Sequence, residues 1–177
     1  MRRLATAARI ERLLQVLGRK AKGPGRIYLV GGATAALMGW RETTKDVDLK
    51  LEPEPPGIFE AIRDAKEELN INIELAAPDQ FIPPVPGWQG RSLFITSVGE
   101  VSFCHYDLLS QALAKLERGH AQDLVDVRSM IERGLLTASA LKDGLARIED
   151  ALIRYPAIEP AAFRDKLSRF LDALGDE

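Results

Sequence analysis

The segment RIYLVGGATAALMGWRETTKDVDLKL, residues 26–51, constrains the fold more than any other part of the chain. Arg26 to Val30 is a short apolar run that predicts a strand. Gly31-Gly32 turns it directly into a stretch with Ala35, Ala36 and Leu37, which predicts a helix. Residues 40–45 form a connector. Val47, Leu49 and Leu51 then alternate with Asp46, Asp48 and Lys50, the pattern of a half-buried strand. Strand side chains alternate faces, so Asp46 and Asp48 share one, with Cα atoms roughly 6–7 Å apart. Two like charges so placed repel unless something positive lies between them.

The rest of the chain is organised around this unit. Ile10, Leu13, Leu14 and Leu17 recur at helical spacing and predict an amphipathic helix over about residues 3–20. PEPPG stops the Asp46 strand before a helix over about 57–69. Ile71, Ile73 and Leu75 alternate with Asn72 and Glu74, which predicts another strand with those three apolar residues on its buried face. PDQFIPPVPGWQG, residues 78–90, reads as a proline- and glycine-rich loop. Residues 92–96 and 101–105 read as a hairpin around SVGE. Helices are predicted over about 107–118, 121–133, 137–153 and 160–173, broken at Gly119, Gly134 and Tyr155-Pro156. The class is therefore α+β. An α/β part over residues 1–105 is followed by a helical region, 106–177, expected to pack on it.

A divalent cation is the economical partner for the two aspartates. Mg²⁺ accepts one or two carboxylates, several waters and phosphate oxygens. Two metals about 3.5–4 Å apart clamp the attacking and leaving oxygens of a phosphoryl displacement. Gly31 and Gly32 let backbone approach a ligand closely, and a helix N-terminus following them offers N–H groups to phosphate. A phosphate cradle beside metal-binding carboxylates describes a nucleoside triphosphate site. Thr44 is placed to contact a phosphate and Lys45 to balance the carboxylates, with ordinary loop roles equally open.

VGG, a spacer of thirteen residues and then Asp46-Val47-Asp48-Leu49 resembles the signature of the nucleotidyltransferase superfamily built on the polymerase-β-type fold. The resemblance implies a small mixed β-sheet with flanking helices, Mg²⁺ or Mn²⁺ as cofactor and an NTP as donor. It implies a third carboxylate on a neighbouring strand, for which Glu74 is the candidate, although that family more often has aspartate there. Asp46, Asp48 and Glu74 would hold the metal, and Glu74 would also activate an acceptor hydroxyl. The segment LLSQALAKLERGHAQDLVDVRSMIERGLL resembles one in abortive-infection-type nucleotidyltransferase toxins and their uncharacterised relatives. There Lys115 and Arg118 match nucleotide-contacting positions, and Asp123 and Asp126 match residues that support them. Gln122 stands where that segment commonly has a basic residue. The plain alternative for all four is ion pairing between helices.

The resemblance leaves the acceptor open. A toxin-like relative would modify RNA and would have an antitoxin partner. An antibiotic-modifying relative would take a small hydroxylated molecule. A catalytically silent module that binds a nucleotide or a protein is the third alternative. Composition adds limits. The formal net charge is −2, so the chain as a whole is no electrostatic nucleic-acid binder, yet the first 26 residues hold eight basic residues and one acid, Glu11. These basic residues read as a solvated helix face or as an RNA-facing patch. A single cysteine, Cys104, excludes an internal disulfide and fits a cytoplasmic location. No apolar run reaches the roughly 18 residues that span a bilayer, so no membrane partner is expected. Cys104 and His105 point to opposite faces and read as structural. Trp88 reads as a residue that pins its loop.

Overall fold

A computed structural model describes residues 1–175. It is α+β and divides into two compact units. The first comprises residues 1–77 and 92–106. Its elements are strand β1 (Ala5–Thr6), helix α1 (Ala7–Lys20), strand β2 (Gly25–Val30), helix α2 (Gly32–Met38), strand β3 (Thr43–Thr44), strand β4 (Asp46–Leu51), helix α3 (Ile58–Leu69) and strand β5 (Asn72–Leu75). Strands β6 (Leu93–Val98) and β7 (Val101–His105) complete it. Five strands form one mixed sheet in the order β5-β4-β2-β7-β6, and β1 and β3 form a separate two-stranded ribbon.

β2 is central and flanked on both sides, and Ile27, Tyr28, Leu29 and Val30 are all buried, as an interior strand requires. β4 runs antiparallel to β2 and parallel to β5. Its Val47 and Leu49 enter the core while Asp46 and Asp48, on the other face, stay part-exposed. The core joins Ile10, Leu13 and Leu17 of α1 to Ile58 and Ala65 of α3 and to Leu49 and Ile73 of the sheet. Burying one such aliphatic side chain contributes about 1.5–3 kcal/mol. This packing covers the β4 face opposite the aspartates and leaves their own face to the site.

Two boundaries in this unit differ from the sequence reading. The first helix starts at Ala7, not near residue 3, because Thr6 caps it, its hydroxyl accepting from Arg9 N at 3.3 Å. The preceding Ala5–Thr6 pairs antiparallel with Thr43–Thr44 inside the expected connector. Two-residue strands are too short to show a period. Leu75 is 45% exposed and not on a buried face, since β5 is the sheet edge and Leu75 is its last residue.

The second unit comprises residues 78–91 and the chain from Asp107 onward. A 3₁₀ turn (Pro78–Gln80) and helix α4 (Trp88–Arg91) lie in the expected loop. They are followed by α5 (Leu108–Arg118), α6 (Ala121–Glu132), α7 (Ala138–Ile148), a 3₁₀ turn (Glu149–Arg154) and α8 (Pro160–Gly175). α5 packs against α6, α7 and α8. Asp107 caps α5 by accepting from Leu109 N and Ser110 N, both at 3.2 Å, and it also holds Arg91 at 3.1 and 2.8 Å. That fork fastens residues 78–91 to the helices, with Ile82, Val85 and Trp88 buried. The helix expected over 137–153 ends at Ile148, because apolar spacing does not distinguish an α-helix from the tighter 3₁₀ turn that continues it. Among the described residues no helix is long and apolar enough to cross a membrane.

Candidate functional site

The register of three strands assembles the site. Val30, the last residue of β2, lies opposite Asp48, and Asp48 lies beside Glu74 on β5. Asp46 lies beside Asn72 in the same parallel ladder. Neighbouring strands are about 4.8 Å apart. In-register residues on parallel strands point the same way, so Asp46, Asp48, Asn72 and Glu74 share one face.

Gly31 follows Val30 at φ +63° and ψ −127°, a conformation that side chains of L-residues rarely adopt. A Cβ placed there would lie 3.2 Å from Asp48 Oδ2. A Cβ on Gly32 would lie 2.0 Å from Thr44 Oγ1 and 2.8 Å from Arg41 Nη1. Bare backbone therefore adjoins the Asp48 carboxylate, and both positions need glycine for separate reasons. α2 has only seven residues, so its contribution here is this close approach more than a helix dipole. Thr44, expected near a phosphate, is 7% exposed, and its hydroxyl donates to the Asp46 carbonyl at 2.9 Å. It braces the turn between β3 and β4.

Asn72 is a residue the sequence reading did not assign to the site. Its amide nitrogen donates to Asp46 Oδ1 at 2.6 Å and to Glu74 Oε1 at 3.0 Å. One neutral donor thus bridges two acids. The signal was present in the period-2 pattern that puts Asn72 on the face of Glu74. Among the described residues no group of three or more His, Cys, Asp or Glu side chains converges into a ready metal cage. The side chains are of the oxygen-donor type that a hard cation takes, set side by side and not converging. They offer carboxylate oxygens from Asp46, Asp48 and Glu74 on one face, with a gap in side-chain volume at Gly31 where a phosphate could lie alongside.

Behind the glycine turn, His105 of β7 is buried and its Nδ1 lies 3.1 Å from Thr34 Oγ1. Thr34, on α2, donates to the Leu29 carbonyl at 3.2 Å. Thr34 therefore accepts from His105 Nδ1–H, and the pair ties α2 to the sheet. Burial pushes the His105 imidazole down to about 4. Cys104 is buried beside it, and burial pushes its thiol up.

Lys115, Arg118, Asp123 and Asp126 belong to the helical unit, where they form one ion-pair cluster between α5 and α6. Lys115 Nζ lies 2.7 Å from Asp126 Oδ2 and 3.6 Å from Asp123 Oδ1. Arg118 holds Asp123 through Nε and Nη2 at 2.7 and 2.5 Å. Lys115 and both aspartates are buried, and Arg118 is exposed on one side. Burial would raise the Asp123 carboxyl, but the Arg118 hydrogen bonds, the Lys115 and Arg118 charges and the His120 backbone together hold it below its ordinary value. The arrangement is the interhelical pairing that the sequence left as the plain alternative for these residues.

No protein-family model, curated protein or solved structure matches the chain.

Proposed function

We propose that the chain is a metal-dependent nucleotidyltransferase that moves a nucleoside monophosphate from an NTP to a hydroxyl acceptor. The observation that carries this reading is the in-register placement of Asp46, Asp48 and Glu74 on one face, with the bare Gly31 backbone against Asp48. The same elements bear the resemblance to the polymerase-β-type superfamily. Asp46, Asp48 and Glu74 would hold Mg²⁺ or Mn²⁺. When bound, such an ion neutralises phosphate charge and orients the reacting oxygens. Gly31 would leave room for the triphosphate against the backbone, whereas Gly32 is packed against Thr44 and Arg41. Glu74 would take the acceptor's proton on a carboxylate oxygen. The acceptor oxygen forms a bond to the α-phosphorus, the bond from that phosphorus to the bridging oxygen breaks, and pyrophosphate leaves. Catalysis would rest mainly on holding the reactants in line and on charge neutralisation by the metal. Lys115 and Arg118 are nucleotide contacts only by the resemblance, since within the helical unit each is paired with an aspartate.

A second reading is supported by Asn72. Its amide bridges Asp46 and Glu74, a structural role for both carboxylates that a silent nucleotide- or protein-binding module would use. One experiment separates the two. The purified protein is incubated with each α-labelled NTP, Mg²⁺ or Mn²⁺, and either total cellular RNA or a panel of hydroxylated small molecules. Label transfer that disappears in Asp46→Ala/Asp48→Ala supports the enzyme. No transfer to any acceptor, with binding retained, supports the module. A toxin role with a cognate antitoxin belongs to the same proposal. Expression should then arrest growth, and the double alanine variant should not.

A further inference from the structure

A groove of about 1030 Å³ opens beside Asp46 within the first unit. Arg3, Thr6, Arg9, Thr43 and Lys45 line it. The short β1–β3 ribbon creates it by bringing the N-terminal segment against the residues just before Asp46. The backbone of Arg3 is held, its N–H donating to the Asn70 carbonyl at 2.7 Å. The Arg9 guanidinium donates to the Leu4 carbonyl, at 3.3 Å. Among the described residues no carboxylate pairs with Arg3, Arg9 or Lys45, and Asp46 is the one acid on the groove wall. Arg2, by contrast, is held by Glu67 at 2.6 Å and by the Lys66 carbonyl.

Arg3, Arg9 and Lys45, converging on one groove from positions 3, 9 and 45 with no acid partner among the described residues, form a local positive field on a protein of net charge −2. The groove lies at the upper end of small-ligand pocket volumes, so it has room for several linked units. We infer that this groove binds the phosphodiester backbone of a single-stranded nucleic acid and leads its end to Asp46. The inference rests on the nucleotidyltransferase reading for the reaction but not for the binding. It would make a nucleic acid, not a small hydroxylated molecule, the acceptor. Arg3 and Arg9 would contact phosphates farther from the end, and Lys45 the phosphate nearest Asp46.

The test is fluorescence anisotropy with a labelled twelve-nucleotide RNA of mixed sequence, in EDTA, across 50–200 mM KCl. Three proteins are compared: the wild type, Arg3→Gln/Arg9→Gln/Lys45→Gln, and Lys142→Gln/Arg147→Gln/Arg154→Gln, which removes equal charge from the helical unit. Urea midpoints establish that both variants fold. Three phosphate contacts to a single strand give a slope of log K against log salt of about −2. We expect the groove variant to lose that slope and at least tenfold in affinity, and the helical-unit variant to lose far less. Equal weakening in both variants overturns the inference, as does full competition by tripolyphosphate at equal phosphate concentration. Mg²⁺-dependent NTP binding is measured in parallel on Asp46→Ala/Asp48→Ala. If that binding survives in the double alanine variant while the groove result holds, the reaction reading fails and the groove stands. If NTP binding is lost there while the groove result fails, the reaction stands with an acceptor of another class.

Discussion

Gly32 is held by space. Its missing Cβ would sit 2.0 Å from the buried Thr44 hydroxyl, and Thr44 anchors the strand that carries Asp46. Overpacking of this kind costs about 1–3 kcal/mol. Gly32→Ala should lower the urea midpoint accordingly, and Gly32→Ala/Thr44→Ala should recover part of the loss. An unchanged midpoint for Gly32→Ala would show that the turn has slack. Lys115 makes a different argument. It is buried against Asp126, whose side chain is fully buried. Removing one member of such a pair costs about 3–5 kcal/mol, because the remaining charge is left without compensation. Lys115→Met should be that destabilising in denaturant titrations, while Lys115→Met/Asp126→Leu should recover at least half. If the single variant is nearly neutral, the pair is not carrying the α5–α6 contact.

His105 gives stability a pH dependence at the same scale. Its folded pKa of about 4 lies below the ordinary value of 6.5. Between those values the unfolded chain binds a proton that the folded chain does not. Stability should therefore fall as pH drops from about 6.5 to about 4, by up to roughly 3 kcal/mol. Above 6.5 both states are neutral and this contribution is flat. His105→Asn, which can still donate to Thr34, should flatten the slope in that window. A slope unchanged in the variant would assign it to other groups.

At the scale of elements, the sequence carried the strand, turn, helix and strand that place Gly31, Gly32, Asp46 and Asp48. It did so because a glycine pair and a two-residue alternation are local signals. The same alternation placed Glu74 on the face of Asn72. It could not show that β5 lies next to β4 in register, which is a tertiary fact and the one that brings Glu74 beside Asp48. The β1–β3 ribbon was invisible because two residues carry no period. With it was lost the convergence of Arg3, Arg9 and Lys45, which are scattered in sequence and meet only in the fold. The members of the Lys115 cluster were named by the resemblance, and their pairing distances followed from α5 packing on α6.

For the whole molecule, the main departure concerns residues 78–91. They read as a loop of the sheet-bearing part, yet they belong with the helices, held by the Arg91–Asp107 fork and by Tyr155 Oη donating to the Asp79 carbonyl at 2.9 Å. The chain thus passes between its two units three times, after Ala77, Arg91 and Tyr106. Cutting it after Tyr106 would strip Ile82, Val85 and Trp88 of the helices that share their unit. We expect residues 1–106 alone to aggregate or to melt well below the full chain, and replacing 78–91 by a short glycine-serine linker to improve the fragment's solubility. A fragment as stable as the full chain would show that the segment needs no helical partner.

The central claim is that Asp46, Asp48 and Glu74 beside the glycine turn form one metal–nucleotide site. Its most direct measurement is calorimetry of a non-hydrolysable NTP analogue, with and without Mg²⁺, on the wild type and on Asp48→Asn, which keeps the side-chain shape and removes the charge. Heat that requires both metal and nucleotide, and that disappears in Asp48→Asn, is the expected result. Equal heat in the variant, or none with any of the four nucleotides in the wild type, would contradict the claim.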